Sequence, residues 1–477
     1  MDNFEFYTKP FDHQKKEFES SHDKKAFAIL WDVGCGKSKL ICDQFVSLWQ
    51  TGKVNSLLIV APNGVQRAWA SDQLKTHCDP AHGVISFVWN GSKANTAKFK
   101  SDFSKFLKSN RPSVLLINYE AIRTKNGYYA CEQFLKSRPC MMVCDESHRI
   151  KSPKALQTKC ILKLGQLATY RRILSGTPVG NSAFDIYTQF KFLDPKILGF
   201  KSWYAFRNYF GVFEKKFVGR WVNLLKEYRR LDELQKLIKN HSSRVLKTDV
   251  LDLPERLYVK RYYEMTPKQA TIYKELRDEY MVELSDGKEL SAPLALVRLL
   301  RLQQILCGYL PIEKKNVRIP DNKTNPRIEC LREILEDYED SKIIIWCRFT
   351  EDIKQVCELL GSGYVSYFGE TSNDDRERAI EKFTNDPSVK YFVSNEQCGG
   401  TGQNLQVANI CIYYSNTFSL IDRSQSEGRI HRSGQKRNCL YIDIVCQNTV
   451  DEHIIDSLRN HFNIAQAING DTLRGWI

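Results

Sequence analysis

The chain of 477 residues is 42% apolar and 26% charged. That is ordinary for a folded globular protein and, at ~100–200 residues per domain, leaves room for about two to four domains; a small disulfide-stapled module and an extended disordered arm are excluded. The 70 Lys and Arg exceed the 56 Asp and Glu, a net charge of +14, which brings polyanions forward as partners against the plainer alternative of a solvated basic surface.

In chain order, apolar runs at 26–30, 56–60, 114–117, 141–144 and 172–174 alternate with helical patterns, as buried parallel strands joined by helices would. The first run leads into Asp32-Val33-Gly34-Cys35-Gly36-Lys37-Ser38 and then an apolar helix from Leu40. This is the context of a phosphate cradle: Gly34 and Gly36 let backbone N–H groups approach phosphates, Lys37 reaches the β- and γ-phosphates, and the Ser38 hydroxyl can ligate Mg²⁺. Trp31 stands where the full P-loop pattern has its first glycine, so a purely structural turn is the alternative for this loop alone. The run 141–144 ends in Asp145-Glu146-Ser147-His148. Two carboxylates at a strand's end suit a metal site, with Asp145 holding Mg²⁺ through water and Glu146 orienting or deprotonating an attacking water; an acidic turn capping a helix is the alternative. Ser175-Gly176-Thr177-Pro178 follows the last run and could sense a γ-phosphate or simply turn the chain.

From about 195 to 254 the rhythm breaks into an aromatic, basic stretch and a helical pattern, LDELQKLIKNH, with residues 212–223 predicting a hairpin that turns at Gly219. A long helical region (267–305) then precedes a second set of strands at 342–346, 364–367, 391–394, 410–414 and 440–445, so the fold class is α/β in two lobes. Further on, Arg429 and Arg432 stand three apart on a helix-like segment, Gln425-Ser426-Glu427-Gly428-Arg429-Ile430-His431-Arg432-Ser433-Gly434-Gln435. Both could reach across a cleft to a phosphate, where an arginine can contribute ~10³–10⁵ in rate; a solvated basic helix is the alternative. The 15 cysteines show no C-x-x-C pair and no Cys/His cluster, so reduced thiols are expected and zinc is not. With no leader pattern and no apolar run of ~18 residues, a cytoplasmic location and no membrane partner are expected.

Together, GCGKS, DESH, SGTP and Q-x-x-G-R-x-x-R, in this order, resemble the superfamily-two helicases. The tail Asp145-Glu146-Ser147-His148-Arg149-Ile150-Lys151, the strings Gly176-Thr177-Pro178-x-x-Asn181 and Gly399-Gly400-Thr401-Gly402-x-Asn404-Leu405, and Arg429-Ile430-His431-Arg432-x-Gly434-Gln435 look like the Snf-type, chromatin-remodeller-like DNA translocases. So does Arg244-Val245-Leu246-Lys247-Thr248-Asp249-Val250 before Leu253-Pro254. The resemblance runs from Gln14 to about Asn448 and implies two RecA-like lobes with parallel sheets and a helical and hairpin accessory element between them. The expected boundaries are 1–195 for the ATP-binding lobe, 196–254 for the accessory element and 255–477 for the helicase C-terminal lobe, opening with a helical region over 255–325.

The resemblance also implies that Gln14 reads the adenine edge, hence ATP, and that Gly402 and Gln425 face the nucleotide or link it to the DNA track. It matches residues 61–69 with Pro62, and Asn118-Tyr119-Glu120, to segments that follow one DNA strand. In the second lobe it matches Arg348 and, over 369–376, Gly369 and Arg376. It implies 3′→5′ tracking, with ATP and Mg²⁺ in the cleft between the lobes. A bare motor without the remodellers' reader domains, long tails and large second-lobe insertions is expected, and a hairpin like 212–223 occurs in the small fork-remodelling members. Phe217 and Trp221 near its tip are therefore expected either to wedge at a DNA junction or to pack accessory helices. The expected function is an ATP-dependent DNA helicase or translocase acting on branched or forked DNA in replication, recombination or repair, as a monomer or weakly self-associating chain, in a bacterial cell or a virus-infected host cell. A double-strand translocase without strand separation, a motor subunit of a larger complex, an RNA helicase and a non-catalytic scaffold are the alternatives.

Overall fold

A computed structural model describes residues 4–469 apart from 218–220, 286–291, 313–314, 320–324, 370, 372 and 400–403. The chain divides into two compact units, chiefly Met1–Phe210 with Tyr228–Leu251, and Gly211–Glu227 with Asp252–Asn463.

The first unit is built on seven strands: β1 (Ala26–Trp31), β2 (Ser56–Ala61), β3 (Ile85–Val88), β4 (Ser113–Asn118), β5 (Cys140–Asp145), β6 (Tyr170–Leu174) and, after a hairpin of β7 (Gly211–Phe217) and β8 (Trp221–Tyr228), β9 (Ser242–Val245). They are ordered β3-β4-β2-β5-β6-β1-β9, and every pairing is parallel. The central strands are continuous apolar runs, SLLIVA in β2 and CMMVCD in β5, buried at every position, because helices cover both faces of a parallel sheet. The helices α1 (Asp12–Ser21) and α2 (Lys37–Gln50) flank β1 in sequence. β9, within the stretch expected as an accessory insertion, lies at the sheet edge beside β1, where Ser243 Oγ accepts from Trp31 Nε1 at 2.9 Å.

The second unit holds β10 (Arg256–Tyr263), a small hairpin of β11 (Tyr309–Ile312) and β12 (Lys315–Arg318), then β13 (Ile343–Trp346), β14 (Tyr364–Tyr367), β15 (Tyr391–Ser394), β16 (Ile410–Tyr413) and β17 (Cys439–Cys446). Its main sheet is ordered β10-β17-β16-β13-β15-β14, again all parallel. The expected α/β class with two parallel sheets is what the chain forms. The long helical region divides into helices Pro267–Ser285 and Ala292–Leu306. The predicted hairpin is β7 and β8, and its turn at Gly219 lies outside the described residues. The described cysteines are free thiols, and among the described residues no helix is long and apolar enough to cross a membrane.

Candidate nucleotide site and nucleic-acid surface

Because all strands of the first sheet run the same way, the loops after β1, β2, β4, β5 and β6 open at one edge. At that edge Gly34 (φ 92°) and Gly36 (φ 80°) take the left-handed backbone. Gly36 caps α2 without a side-chain hydrogen bond, the arrangement that makes a helix start an anion site. A Cβ on Gly36 would lie 2.0 Å from Gln14 Nε2 and would displace that side chain, and the left-handed backbone there favours glycine in any case. Gln14 is buried here: Nε2 donates to Gly36 O (3.1 Å) and Oε1 accepts from Phe11 N (2.8 Å), stapling the start of α1 to the loop. The Lys37 ammonium donates to the carbonyls of Trp31 (2.8 Å) and Asp32 (3.2 Å), and Ser38 is half-buried in the first turn of α2.

Asp145 ends β5. Its Oδ2 accepts from Trp69 Nε1 at 2.9 Å, its Oδ1 from the Glu146 N–H at 3.0 Å, and its carbonyl from Tyr119 OH at 2.7 Å. Burial pushes its carboxyl up to about 6, helped by the charge of Glu146 and opposed by Trp69 and by Lys37, so Lys37 and Asp145 belong to one electrostatic site. Glu146 itself sits at φ 52°, ψ 55°, a left-handed conformation costing a non-glycine residue about 1–2 kcal/mol and typical of functional positions. Its Oε2 is 3.3 Å from His148 Nδ1, which lies 3.5 Å from Ser175 Oγ. A Cβ on Gly176 would meet Val33 N at 3.3 Å and Trp31 O at 3.4 Å. The GKS, DESH and SGTP loops thus form one contiguous cluster. Among the described residues no group of three or more His, Cys, Asp or Glu could hold a metal. A lone carboxylate and a hydroxyl suit Mg²⁺, which keeps its waters and takes further ligands from substrate phosphates.

Arg244 and Lys247 stand in a string whose spacing assigns them no role. Arg244, in β9, holds the site together: Nη1 is 3.0 Å from Asp32 Oδ1 and donates to Leu30 O (2.7 Å) and Gly176 O (3.3 Å). Lys247 N donates to Asp32 Oδ2 at 3.2 Å, and its side chain crosses Gly34. Hydrogen bonds to charged groups are worth ~1.5–3 kcal/mol, so Arg244→Ala is expected to raise the KM for ATP about tenfold or more, with Arg244→Lys intermediate, in steady-state hydrolysis assays.

Of the residues expected to face DNA in this unit, Pro62 is buried at the end of β2. Asn118 ends β4, where its Oδ1 caps the following turn (Ala121 N, 2.7 Å) and its Nδ2 lies 3.4 Å from Asn63 Oδ1. The two asparagines line a groove of about 650 Å³ shared with Arg67, Lys75, Trp89 and Lys93. Tyr119 is fully buried and its hydroxyl donates to the Asp145 carbonyl, so its side chain faces the core and a strand following this segment would meet its backbone.

In the second unit the helix Leu420–Glu427 is pinned by fully buried Arg423, which donates to Asp443 (2.6 Å) and Glu427 (2.8 Å). The helix stops at Gly428, so Arg429 and Arg432 lie on the turn beyond it rather than on the helix-like segment expected. Arg429 is buried and donates from Nε to the carbonyl of buried Gln425 at 3.1 Å; burial lowers the pKa of Arg432. The turn is fixed by its neighbours. Arg256 Nε donates to His431 Nδ1 (3.1 Å), leaving the ring proton on Nε2 for Pro254 O (2.9 Å), while Gln435 Nε2 donates to the carbonyls of Gln406 and Ala408. Arg348 Nη1 donates to Thr417 Oγ1 at 2.6 Å. Arg376 Nη2 donates to Phe368 O (3.1 Å), with Gly369 O at 3.4 Å, so these two candidates sit together. Trp221, on β8, is 69% exposed. Gly402 and the side chain of Phe217 lie outside the described residues.

A glycine loop with GKS after one strand, an acidic pair on a strand two places along the same sheet, and a second parallel α/β unit bearing a Q-x-x-G-R-x-x-R turn define a helicase-type P-loop core. The chain belongs to the SNF2-related family: residues 32–308 match the SNF2-related domain and residues 326–434 the helicase conserved C-terminal domain. It is 26% identical over 344 residues to an uncharacterized ATP-dependent helicase of Mycoplasma pneumoniae, covering 72% of this chain and 31% of that protein. It is 25% identical over 462 residues to the DNA repair and recombination protein RAD54-like of Drosophila pseudoobscura pseudoobscura, covering 87% and 56%. The chain therefore spans about a third to just over half the length of these relatives. Among solved structures it is similar to the Sulfolobus solfataricus SWI2/SNF2 ATPase core in complex with dsDNA, at 23% identity and a TM-score of 0.44 over 98% of this chain and 95% of that one.

Proposed function

We propose that the chain is a DNA-dependent ATPase that converts ATP hydrolysis into movement along DNA and acts on branched or forked substrates. The observation that carries this reading is the cluster of Lys37, Asp145 and Glu146 at one sheet edge of an SNF2-related domain. Lys37 and the start of α2 bind the β- and γ-phosphates, and Gln14 abuts the loop from the adenine side. Ser38 and Asp145 would hold Mg²⁺, which would neutralise phosphate charge. Glu146 orients and deprotonates the attacking water, and Arg429 and Arg432 of the second unit stabilise charge on the transferred phosphoryl group. The groove around Asn63, Arg67 and Asn118 takes the phosphates of one strand, with Arg348, Gly369 and Arg376 serving the second unit in the same way. Backbone contacts of this kind position DNA without reading its sequence.

Trp221 opens β8 and is exposed, and its partner strand β7 carries Lys215, Lys216 and Phe217 in sequence, which supports a wedge that stacks on bases at a junction. Stacking is worth ~1–3 kcal/mol per base, so Phe217→Ala with Trp221→Ala is expected to slow fork unwinding about tenfold while triplex displacement on duplex DNA persists. Unwinding that survives both substitutions leaves a double-strand translocase as the activity.

A further inference from the structure

Both segments of the first unit expected to follow a DNA strand send one aromatic side chain inward, and both aromatics end on the same residue. Trp69 opens a five-residue π-helical turn, Trp69–Gln73, directly after the four-residue helix Val65–Ala68. Such insertions recur at functional sites. Gln66, Arg67 and Ala70 of this stretch line the groove, while Trp69, 1% exposed, turns the other way and donates Nε1–H to Asp145 Oδ2 at 2.9 Å. Asn118 lines the same groove. Its neighbour Tyr119, 0% exposed, donates to the Asp145 carbonyl at 2.7 Å. One donor holds the carboxylate and the other the backbone from which it springs.

We infer that Trp69 and Tyr119 are positioning residues through which occupancy of the groove by DNA phosphates sets the aim of the Asp145 carboxylate, and hence the rate of hydrolysis. The inference rests on the proposed roles of the groove and of Asp145. Residues 65–77 run as one helix whose register is broken by the π turn at Trp69–Gln73, a place where a helix gives, so a phosphate drawn toward Arg67 and Lys75 on either side of that turn shifts it, and a rigid aromatic side chain carries the displacement to its donor atom. A buried carboxylate is sensitive to such a shift, because the low-dielectric surroundings strengthen each hydrogen bond it makes.

The test uses Tyr119→Phe, which keeps the buried ring and removes only the donor, and Trp69→Phe, which removes the donor together with part of the buried indole, in ATPase assays at saturating ATP with and without duplex DNA and in DNA binding by fluorescence anisotropy. The expected result is a fall in the ratio of DNA-stimulated to basal rate of about fivefold or more in each variant, the scale of losing one hydrogen bond to a charged or carbonyl partner, with DNA affinity retained. Basal and stimulated rates that fall by the same factor, or a ratio that does not move, would overturn the relay. Arg67→Ala with Lys93→Ala separates the two levels of the account. If this pair weakens DNA binding while both aromatic variants keep full stimulation, only the relay fails. If it leaves DNA affinity and stimulation unchanged, the groove is not the DNA site and the relay falls with it.

Discussion

Glu146→Gln is expected to stop ATP turnover while sparing nucleotide binding. Glu146 lies between β5 and a tight turn in a left-handed backbone that a glutamate adopts only at a cost, and this conformation fixes its carboxylate beside His148, 3.3 Å away. Glutamine preserves shape and volume and removes the proton acceptor. A positioned base contributes ~10²–10⁴ in rate, so kcat should fall by that range. The groups proposed to bind phosphate, Lys37 and the start of α2, are untouched, so equilibrium binding of a fluorescent ATP analogue should change by less than about threefold, well below the effect on a buried charged contact. A Glu146→Gln enzyme with wild-type kcat would remove Glu146 from the chemistry and leave the acidic pair as a cap of the turn that follows β5.

Arg429→Ala is expected to act on the same step from the second unit. The arginine is buried and its Nε is committed to the Gln425 carbonyl at 3.1 Å, which orients the guanidinium from one side, and the turn around it is held by the His431 and Gln435 contacts. An arginine that meets the transferred phosphoryl group supplies ~10³–10⁵ in rate, so kcat in the presence of DNA should drop by about that factor. Arg429→Lys should not rescue it, because a point charge on a flexible stem does not reproduce a planar fork. Loss of nucleotide affinity with kcat retained would reassign Arg429 to ground-state binding.

Much of this fold was legible in the sequence for a simple physical reason. Strands buried on both faces, such as β2, β5 and β13, must be continuous apolar runs, and the loops that follow them carried the motifs. Strands at sheet edges escape that rule. β9 reads SSRV and β10 reads RLYVKRYY; both are polar or alternating because only part of each strand is buried, and neither announces itself. The site divides in the same way. Motif residues were named from local strings, but the partners that aim them come from distant chain positions. Arg244 reaches Asp32 from 212 residues away, and no spacing rule connects Trp69 to Asp145. Tyr119 shows the same limit: the string Asn118-Tyr119-Glu120 does not say that the tyrosine turns into the core. The arginine turn was misread as helix because Gly428 ends the helix one residue before Arg429, at a place where the apolar pattern gives no signal.

ATP hydrolysis by this chain is expected to depend on DNA. That dependence is read from the ATPase rate of the chain at saturating ATP and Mg²⁺ against a panel of single-stranded, duplex, forked and four-way DNA, with duplex RNA beside them. The account predicts a low rate without nucleic acid, stimulation by duplex DNA, the strongest stimulation by forked or four-way DNA, and little by RNA. A rate that is the same with and without every DNA in the panel would contradict it.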